Sequence, residues 1–397
     1  MRRLVKRLKL LMAKALLEDV DVMREVVIPK LRVKHLDPLY IDYYGRTDDP
    51  TLAAGRTWFR KDANELRFTD GSLCIHVPSS LVLGCGVAFL RRLKVNPDEA
   101  ITIRTAEATG EGYWVGAPHV FYDIETEKFY LCYRRRNPDE RGHTAYIAES
   151  KDGVNFTDIW SAAKTDFIST ATSLERASLL RNPITGKWQY FITISTSPGF
   201  AIYKLADADS PDLLDPATTI KVLDHGTSGK WDETEVKDPV VFSIGGYLFM
   251  LYEGFSSTTG KRQTGLAYSI NGESWTKYAD NPIISTGGAG AWDEDVAVAT
   301  SVLILGGAWV LLYKGRSGTT DPAFVARTGV AVWPTPLSGK ATKITVNEPF
   351  LSGTDPTYYT FKYACAIVVK GKLFVYYEHG KPDGSFDLVV NVVSLGI

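Results

Sequence analysis

Charged side chains gather at the starts of strand-like runs in this 397-residue chain. Asp238-Pro239 opens one such run with Glu235 just ahead of it, Glu175-Arg176 opens another, and Asp293, Glu294 and Asp295 precede a third. Glu253 falls where the strand LYEGF ends, and His119 follows Ala117-Pro118. Carboxyl groups in two different environments can divide acid and base roles between them, and a histidine can act as a general acid near neutral pH. A carboxylate beside a guanidinium suits a charged or heavily hydroxylated ligand. Trp114, Trp231 and Trp292 flank the same strand starts and offer apolar ring faces. Each residue also has a plainer reading. Asp238 could cap a turn, Glu175 and Arg176 could pair with each other, and Trp292 to Asp295 could form a solvated loop. Glu253 could partner a neighbouring arginine, His119 could be a hydrogen-bonded structural histidine, and tryptophans commonly pack in cores.

A repeat positions these residues. APHVFYDIETEKFYLCYRR from Ala117, ERASLLRNPITGKWQYFIT from Glu175, KDPVVFSIGGYLFMLYEG from Lys237, VATSVLILGGAWVLLYKG from Val298 and YACAIVVKGKLFVYYEHG from Tyr363 share one form. Each reads as a strand, a tight turn with Gly, Asp or Asn, and a second strand rich in aromatic and β-branched residues. The copies recur at roughly 60 residues, a spacing that suits a four-stranded propeller blade with its loops. AYIAESKDGVNFTDI and GLAYSINGESWTKY add an alternating strand, an Asp-Gly or Asn-Gly turn and an aromatic, Phe156 or Trp275, which predicts a third strand turning into a fourth. Strands and helices do not alternate, so Rossmann and TIM-barrel folds are disfavoured. The expected fold is all-β: a five-bladed β-propeller over 111–397, behind a small N-terminal helix and β-hairpin region.

In that region, Leu4, Leu8, Leu11 and Ala15 recur at helical spacing among Arg and Lys, which predicts a basic amphipathic helix over 1–30. Residues 31–110 read as a small β-rich module. Within it, AGRTWFRKDANELRFTDGS from Ala53 predicts a hairpin with Trp58 and Phe59 on one arm and Leu66 and Phe68 on the other. A net charge of −1 gives no global attraction to nucleic acid or anionic membrane. No apolar run is long enough to span a bilayer. Lys14 interrupts the apolar part of the basic opening and no small-residue cleavage site follows, so a signal peptide is not expected; a soluble cytoplasmic or virion-associated protein is. Cys74, Cys85, Cys132 and Cys365 have neither zinc nor disulfide spacing and read as buried thiols.

The run from Tyr113 to Asp158, with GAPHVFYD, RRRNPDERGH and IAESKDGVNF, resembles the five-bladed propeller glycoside hydrolases of the family 43, 32 and 117 type. VKDPVVF at Val236, RTGVAV at Arg327 and PDGSFDLVV extend the resemblance almost to the C-terminus. It implies a glycan-active propeller, a glycosidase acting on a cell-surface or plant-type polysaccharide through carboxylates in the funnel, with no obligatory cofactor and an axial Ca²⁺ or Na⁺ as an option. Position by position, Asp238 matches an acid at the start of an inner strand, with Glu175 as its carboxyl partner and His119 as an acid in the anhydro-sugar manner. Arg176, Glu235, Asp295, Trp114, Trp292 and Glu253 are the implied sugar contacts. Ala117 stands where many relatives carry an acid. Arg134, Arg135 and Arg136 read either as a solvated blade edge or as a site for a sulfated or uronic polymer. The hairpin resembles those of tail-fibre and virion attachment proteins. This implies an alternative, a non-catalytic glycan-binding protein on a homotrimeric N-terminal stalk.

Overall fold

The computed structural model describes strand backbones within 40–78, and then residues 95–395 apart from loops at 197–198, 306–307, 319–320, 322–324 and 352–360. Two compact units divide the chain, Met1–Ala88 and Phe89–Ile397. The first holds a sheet of β1 (Tyr40–Arg46), β2 (Arg56–Arg60), β3 (Glu65–Thr69) and β4 (Cys74–Pro78) in that order. β2 and β3 form the expected hairpin, with Phe59 opposite Leu66 and Thr57 opposite Phe68. The helix expected over 1–30 lies outside the described residues.

The second unit is a five-bladed propeller. β6 (Trp114–Asp123), β7 (Lys128–Arg136), β8 (Thr144–Ser150) and β9 (Thr157–Ala163) make the first blade. A single helical turn, α1 (Lys164–Phe167), leads to the second, β10 (Ser173–Arg181), β11 (Trp188–Thr196), β12 (Gly199–Lys204) and β13 (Ile220–Leu223). The third blade is β14 (Glu235–Ile244), β15 (Tyr247–Ser256), β16 (Lys261–Ser269) and β17 (Thr276–Lys277). The fourth is β18 (Val296–Leu305), β19 (Ala308–Arg316), β20 (Arg327–Trp333) and β21 (Thr342–Lys343). The fifth is β22 (Lys362–Val369), β23 (Lys372–Gly380) and β24 (Phe386–Ser394), and its outer strand comes from the other end of the unit: β5 (Ile101–Arg104) pairs with β24, Thr102 opposite Val389. The propeller therefore starts ahead of residue 111, where the sequence placed its boundary. A strand from the N-terminal side covers the edge that the last blade would otherwise expose.

First strands of successive blades touch in a ring, and β22 closes on β6. Apolar side chains on alternate positions fill the space between blades; Tyr130, Trp160, Trp188 and Tyr190 pack between the first and second. The outer turns use side chains in place of sheet partners. Asp152 accepts from the Val154 and Asn155 N–H groups, Asn271 accepts from those of Glu273 and Ser274, and Ser150 and Ser269 accept from the glycine between. This explains why the Asp-Gly and Asn-Gly signals recur at the same place in two blades.

Every inner strand carries a β-bulge at one equivalent place: between Gly116 and His119, Leu174 and Ala177, Lys237 and Val240, Ala299 and Ser301, and Lys362 and Cys365. Bulges re-aim side chains. The residues within them include Ala117, Glu175, Asp238, Thr300 and Tyr363. Three of these non-glycine residues, Ala117, Asp238 and Tyr363, take left-handed backbone with φ of 54°, 57° and 58°. That conformation costs of order 1–3 kcal/mol each and is typically held at functional positions.

Candidate active site

A cavity of about 270 Å³ lies among the bulges. Glu175 and Tyr363 reach it from the bulges, while Arg134, Glu253 and Lys314 reach it from the second strands. Arg134, Glu253 and Glu378 each pair across the sheet with the residue just before a bulge, Gly116, Lys237 and Lys362, and Lys314 pairs with Val298, one residue further from its bulge. At this level the first and fourth blades carry a cation, the third and fifth a carboxylate, and the second Ile194, opposite Leu174. Gly116 is bare because Glu378 leans across it: a Cβ there would lie 2.2 Å from Glu378 Cγ.

The cavity wall is strongly cationic. Five arginines, Arg134, Arg136, Arg141, Arg262 and Arg316, and three lysines, Lys237, Lys314 and Lys362, line it against two carboxylates, Glu175 and Glu253. Adding Glu235, Asp238 and Glu378, which pair with lining cations, still leaves three more cations than carboxylates.

Every carboxylate at this level has a counter-ion. Lys314 Nζ donates to Asp238 Oδ2 at 2.6 Å and lies 2.8 Å from Glu253 Oε2. Arg262 reaches Glu253 at 2.6 Å and Glu235 at 3.1 Å, and Arg134 and Arg141 lie 3.2 and 2.9 Å from Glu175. Burial by itself would raise the pKa of Glu175, but Arg134, Lys237 and Arg141 outweigh it and hold the carboxyl well below the usual carboxylate range. Burial likewise opposes, and Lys237, Lys314 and Arg262 outweigh, at Glu253. Lys314 is fully desolvated, yet Asp238 and Glu253 keep its pKa well above an ordinary lysine's. Neither Glu175 nor Glu253 is a proton donor near neutral pH. The buried polar atoms at this site that lack a hydrogen-bond partner among the described residues include Asp238 Oδ1, Arg134 Nη1 and Arg136 Nε. Unmet hydrogen-bonding capacity in a buried site costs free energy unless a ligand or water meets it.

Glu175, Glu253 and Trp114 do line the cavity. Asp238 and Glu235 stand directly behind lining cations. Trp114 is not a bare platform, because Arg136 and Lys362 lie 4.2 and 4.3 Å from its ring centroid.

Four expected site residues take other places. His119 is buried between blades, where Nδ1 accepts from the Leu179 N–H and Nε2 lies 3.0 Å from Ser178 Oγ, which in turn accepts from Val241 N–H. Burial, with Arg176 nearby, pushes its pKa down to about 3, so it cannot serve as the neutral-pH acid expected of it. Arg176, from the second blade, donates to Pro118 O in the first and Thr300 O in the fourth. A side chain joining those blades spans the axis, where the family resemblance implied an ion. Among the described residues no group of three or more His, Cys, Asp or Glu is suited to a metal.

Trp292 belongs to a duplicated brace rather than a sugar contact. Trp231-Asp232 and Trp292-Asp293 repeat one arrangement: the ring covers Tyr252 or Tyr313, the tyrosine hydroxyl donates to the aspartate, and Lys277 or Lys343 pairs with it at 2.6 or 2.8 Å. Gly254 and Gly315 admit the indole; a Cβ on either would come within 2.2 Å of it. Trp292 Nε1 also donates to Thr345 O. Trp292→Phe should therefore lower stability by about 1–2 kcal/mol in chemical denaturation, through the orphaned carbonyl, and leave ligand affinity unchanged. Asp295 pairs with Lys261 at 2.7 Å and joins the third blade to the fourth.

Lys237, Arg262, Lys314, Lys362 and Tyr363 were not singled out from the sequence. The aligned repeat carried a signal for part of this set: the residue after the second-strand tyrosine reads Arg134, Glu253, Lys314 and Glu378, after Tyr133, Tyr252, Tyr313 and Tyr377.

No protein-family model matches the chain, and no curated protein is similar to it in sequence. Solved structures share its fold. A thermostable family-43 glycoside hydrolase superposes with a TM-score of 0.55 at 18% identity, over 74% of this chain and 92% of that one. A putative glycoside hydrolase from Bacteroides ovatus gives 0.53 at 17% identity, over 75% and 96%. A structure described among family-130 mannoside phosphorylases and glycoside hydrolases that target β-1,2-mannosidic linkages gives 0.50 at 17%, over 75% and 96%. Likeness at these identities is likeness of fold.

Proposed function

We propose that the chain is a carbohydrate-active propeller whose funnel takes an acidic glycan. The cation excess around the cavity carries this reading: eight lining cations share five carboxylates, and carboxylates or sulfates on a glycan would balance the remaining positive charge with charge-assisted hydrogen bonds. Arg134 Nη1, buried at the cavity wall and without a hydrogen-bond partner among the described residues, is the most direct donor to such an anion. The glycoside hydrolases that share the fold support a carbohydrate as the ligand class.

Hydrolysis by a carboxyl pair requires one partner to be protonated while the other stays ionised. Glu175 and Glu253 are both held ionised. In this reading the carboxylates aim the cations: Glu175 sets the direction of Arg134 and Arg141, and Asp238 with Glu253 sets that of Lys314.

Calorimetric titration with oligogalacturonate, a sulfated oligosaccharide and a neutral xylo-oligosaccharide tests the reading. Acidic oligomers should bind, with affinity falling as NaCl is raised, and Arg134→Gln should weaken binding about 10- to 100-fold. Equal binding of the neutral oligomer without salt dependence would remove the acidic-glycan assignment.

A further inference from the structure

Lys362 and Arg134 converge on one carboxylate. Lys362 Nζ lies 3.6 Å from Glu378 Oε2 and Arg134 Nη2 lies 3.4 Å from Glu378 Oε1. The ammonium is caged by the rings of Trp114, Tyr363 and Phe386, at 4.3, 5.6 and 5.7 Å. Its side chain is 15% exposed and forms part of the cavity wall. A poorly solvated, loosely paired amine thus stands next to a guanidinium with a vacant donor. An anion bound to Arg134 would bring its neighbouring carbon toward Lys362.

We propose that the funnel cleaves 4-linked uronates by β-elimination, with Arg134 binding the uronate carboxylate and Lys362 removing the adjacent C5 proton. The inference rests on the acidic-glycan reading and names its substrate class and reaction. Guanidinium contact neutralises the carboxylate and stabilises the negative charge that builds on it as the C5–H bond breaks. The electron pair from that bond forms the C4–C5 double bond, and the C4–O4 bond breaks. Lys362, now an ammonium, returns its proton to O4 of the leaving chain. Products are a 4,5-unsaturated uronate and a sugar with a free hydroxyl; no water, oxidant or metal enters the balance. No neutral carboxylic acid is needed, which suits a site whose lining carboxylates are ionised.

The electrostatics agree. Burial pushes the Lys362 pKa down to about 8; Glu378 and Glu175 oppose the shift, while Arg134 and Lys314 add to it. The free amine, the form that accepts a proton, is accessible at mildly alkaline pH.

The test incubates the full chain with oligogalacturonate, oligoalginate and a neutral xylo-oligosaccharide, following ultraviolet absorbance of unsaturated uronate and product masses. Expected are unsaturated products whose masses sum to that of the substrate, with kcat/KM rising as pH passes through about 8. Lys362→Met and Lys362→Arg should each lower turnover ~10²–10⁴-fold, the arginine variant retaining the fold and oligomer binding. Products heavier by one water would show hydrolysis and overturn the proposal. Uronate binding without any product would overturn it and leave the acidic-glycan reading standing. Failure of all acidic oligomers to bind would sink both.

Discussion

Lys314→Met is expected to destabilise the propeller by about 3–5 kcal/mol, the cost of leaving buried charge without its partner. Lys314 is the ion-pair partner of Asp238 among the described residues, and Asp238 is wholly buried with its Oδ1 already unpartnered. Glu253 would keep Lys237 and Arg262, so the damage should centre on Asp238. Urea denaturation of Lys314→Met and of the double variant Lys314→Met/Asp238→Asn gives the check. The double variant should recover much of the loss, because an amide in place of the carboxylate needs no counter-ion. If the single variant unfolds at the wild-type urea concentration, the ion pair contributes nothing and this account of the funnel fails. The same reasoning bears on Asp238→Asn alone, which leaves Lys314 with Glu253 and should cost less than losing the lysine.

The second large effect is a pH dependence located at His119. Its folded pKa is about 3 against 6.5 for an unfolded histidine, because burial disfavours the imidazolium. Between those values the unfolded chain binds the extra proton, so stability rises with pH. The contribution is complete above pH 6.5 and is lost as pH falls toward 3. Between about pH 6.5 and 5, where most unfolded carboxylates remain ionised, His119 should withdraw about 2 kcal/mol. His119→Gln, which cannot titrate, should show a flatter stability profile across that interval. It should lose no activity from an acid–base role, since the ring bridges Leu179 and Ser178 between blades. Parallel profiles for wild type and variant would place the pH sensitivity elsewhere.

The blade pattern was legible because it is local. Alternation, tight turns and the aromatic-rich second strands are written within each copy, and neighbouring strands in the chain are neighbours in the sheet. Closure by β5 was less visible: Ile101–Arg104 is short, and its partner Val389 lies at the opposite end of the unit. Glu175 and Glu253 could be read as site residues from the repeat, but not their pairing. The sequence favoured a solvated edge for Arg134, and the fold instead buries it between Glu175 and Glu378.

The five copies and their turn residues determined by themselves that this chain is a propeller, since each blade forms from contiguous segments that need only local hydrogen bonding and alternate burial. Tertiary structure decided what the charges do. Lys314 meets Asp238 from 76 residues away, and Ala117 N–H donates to Glu378 from 261 away. Such meetings exist only once the ring closes, and the protonation and use of a charged group depend on the burial and counter-ions that closure imposes.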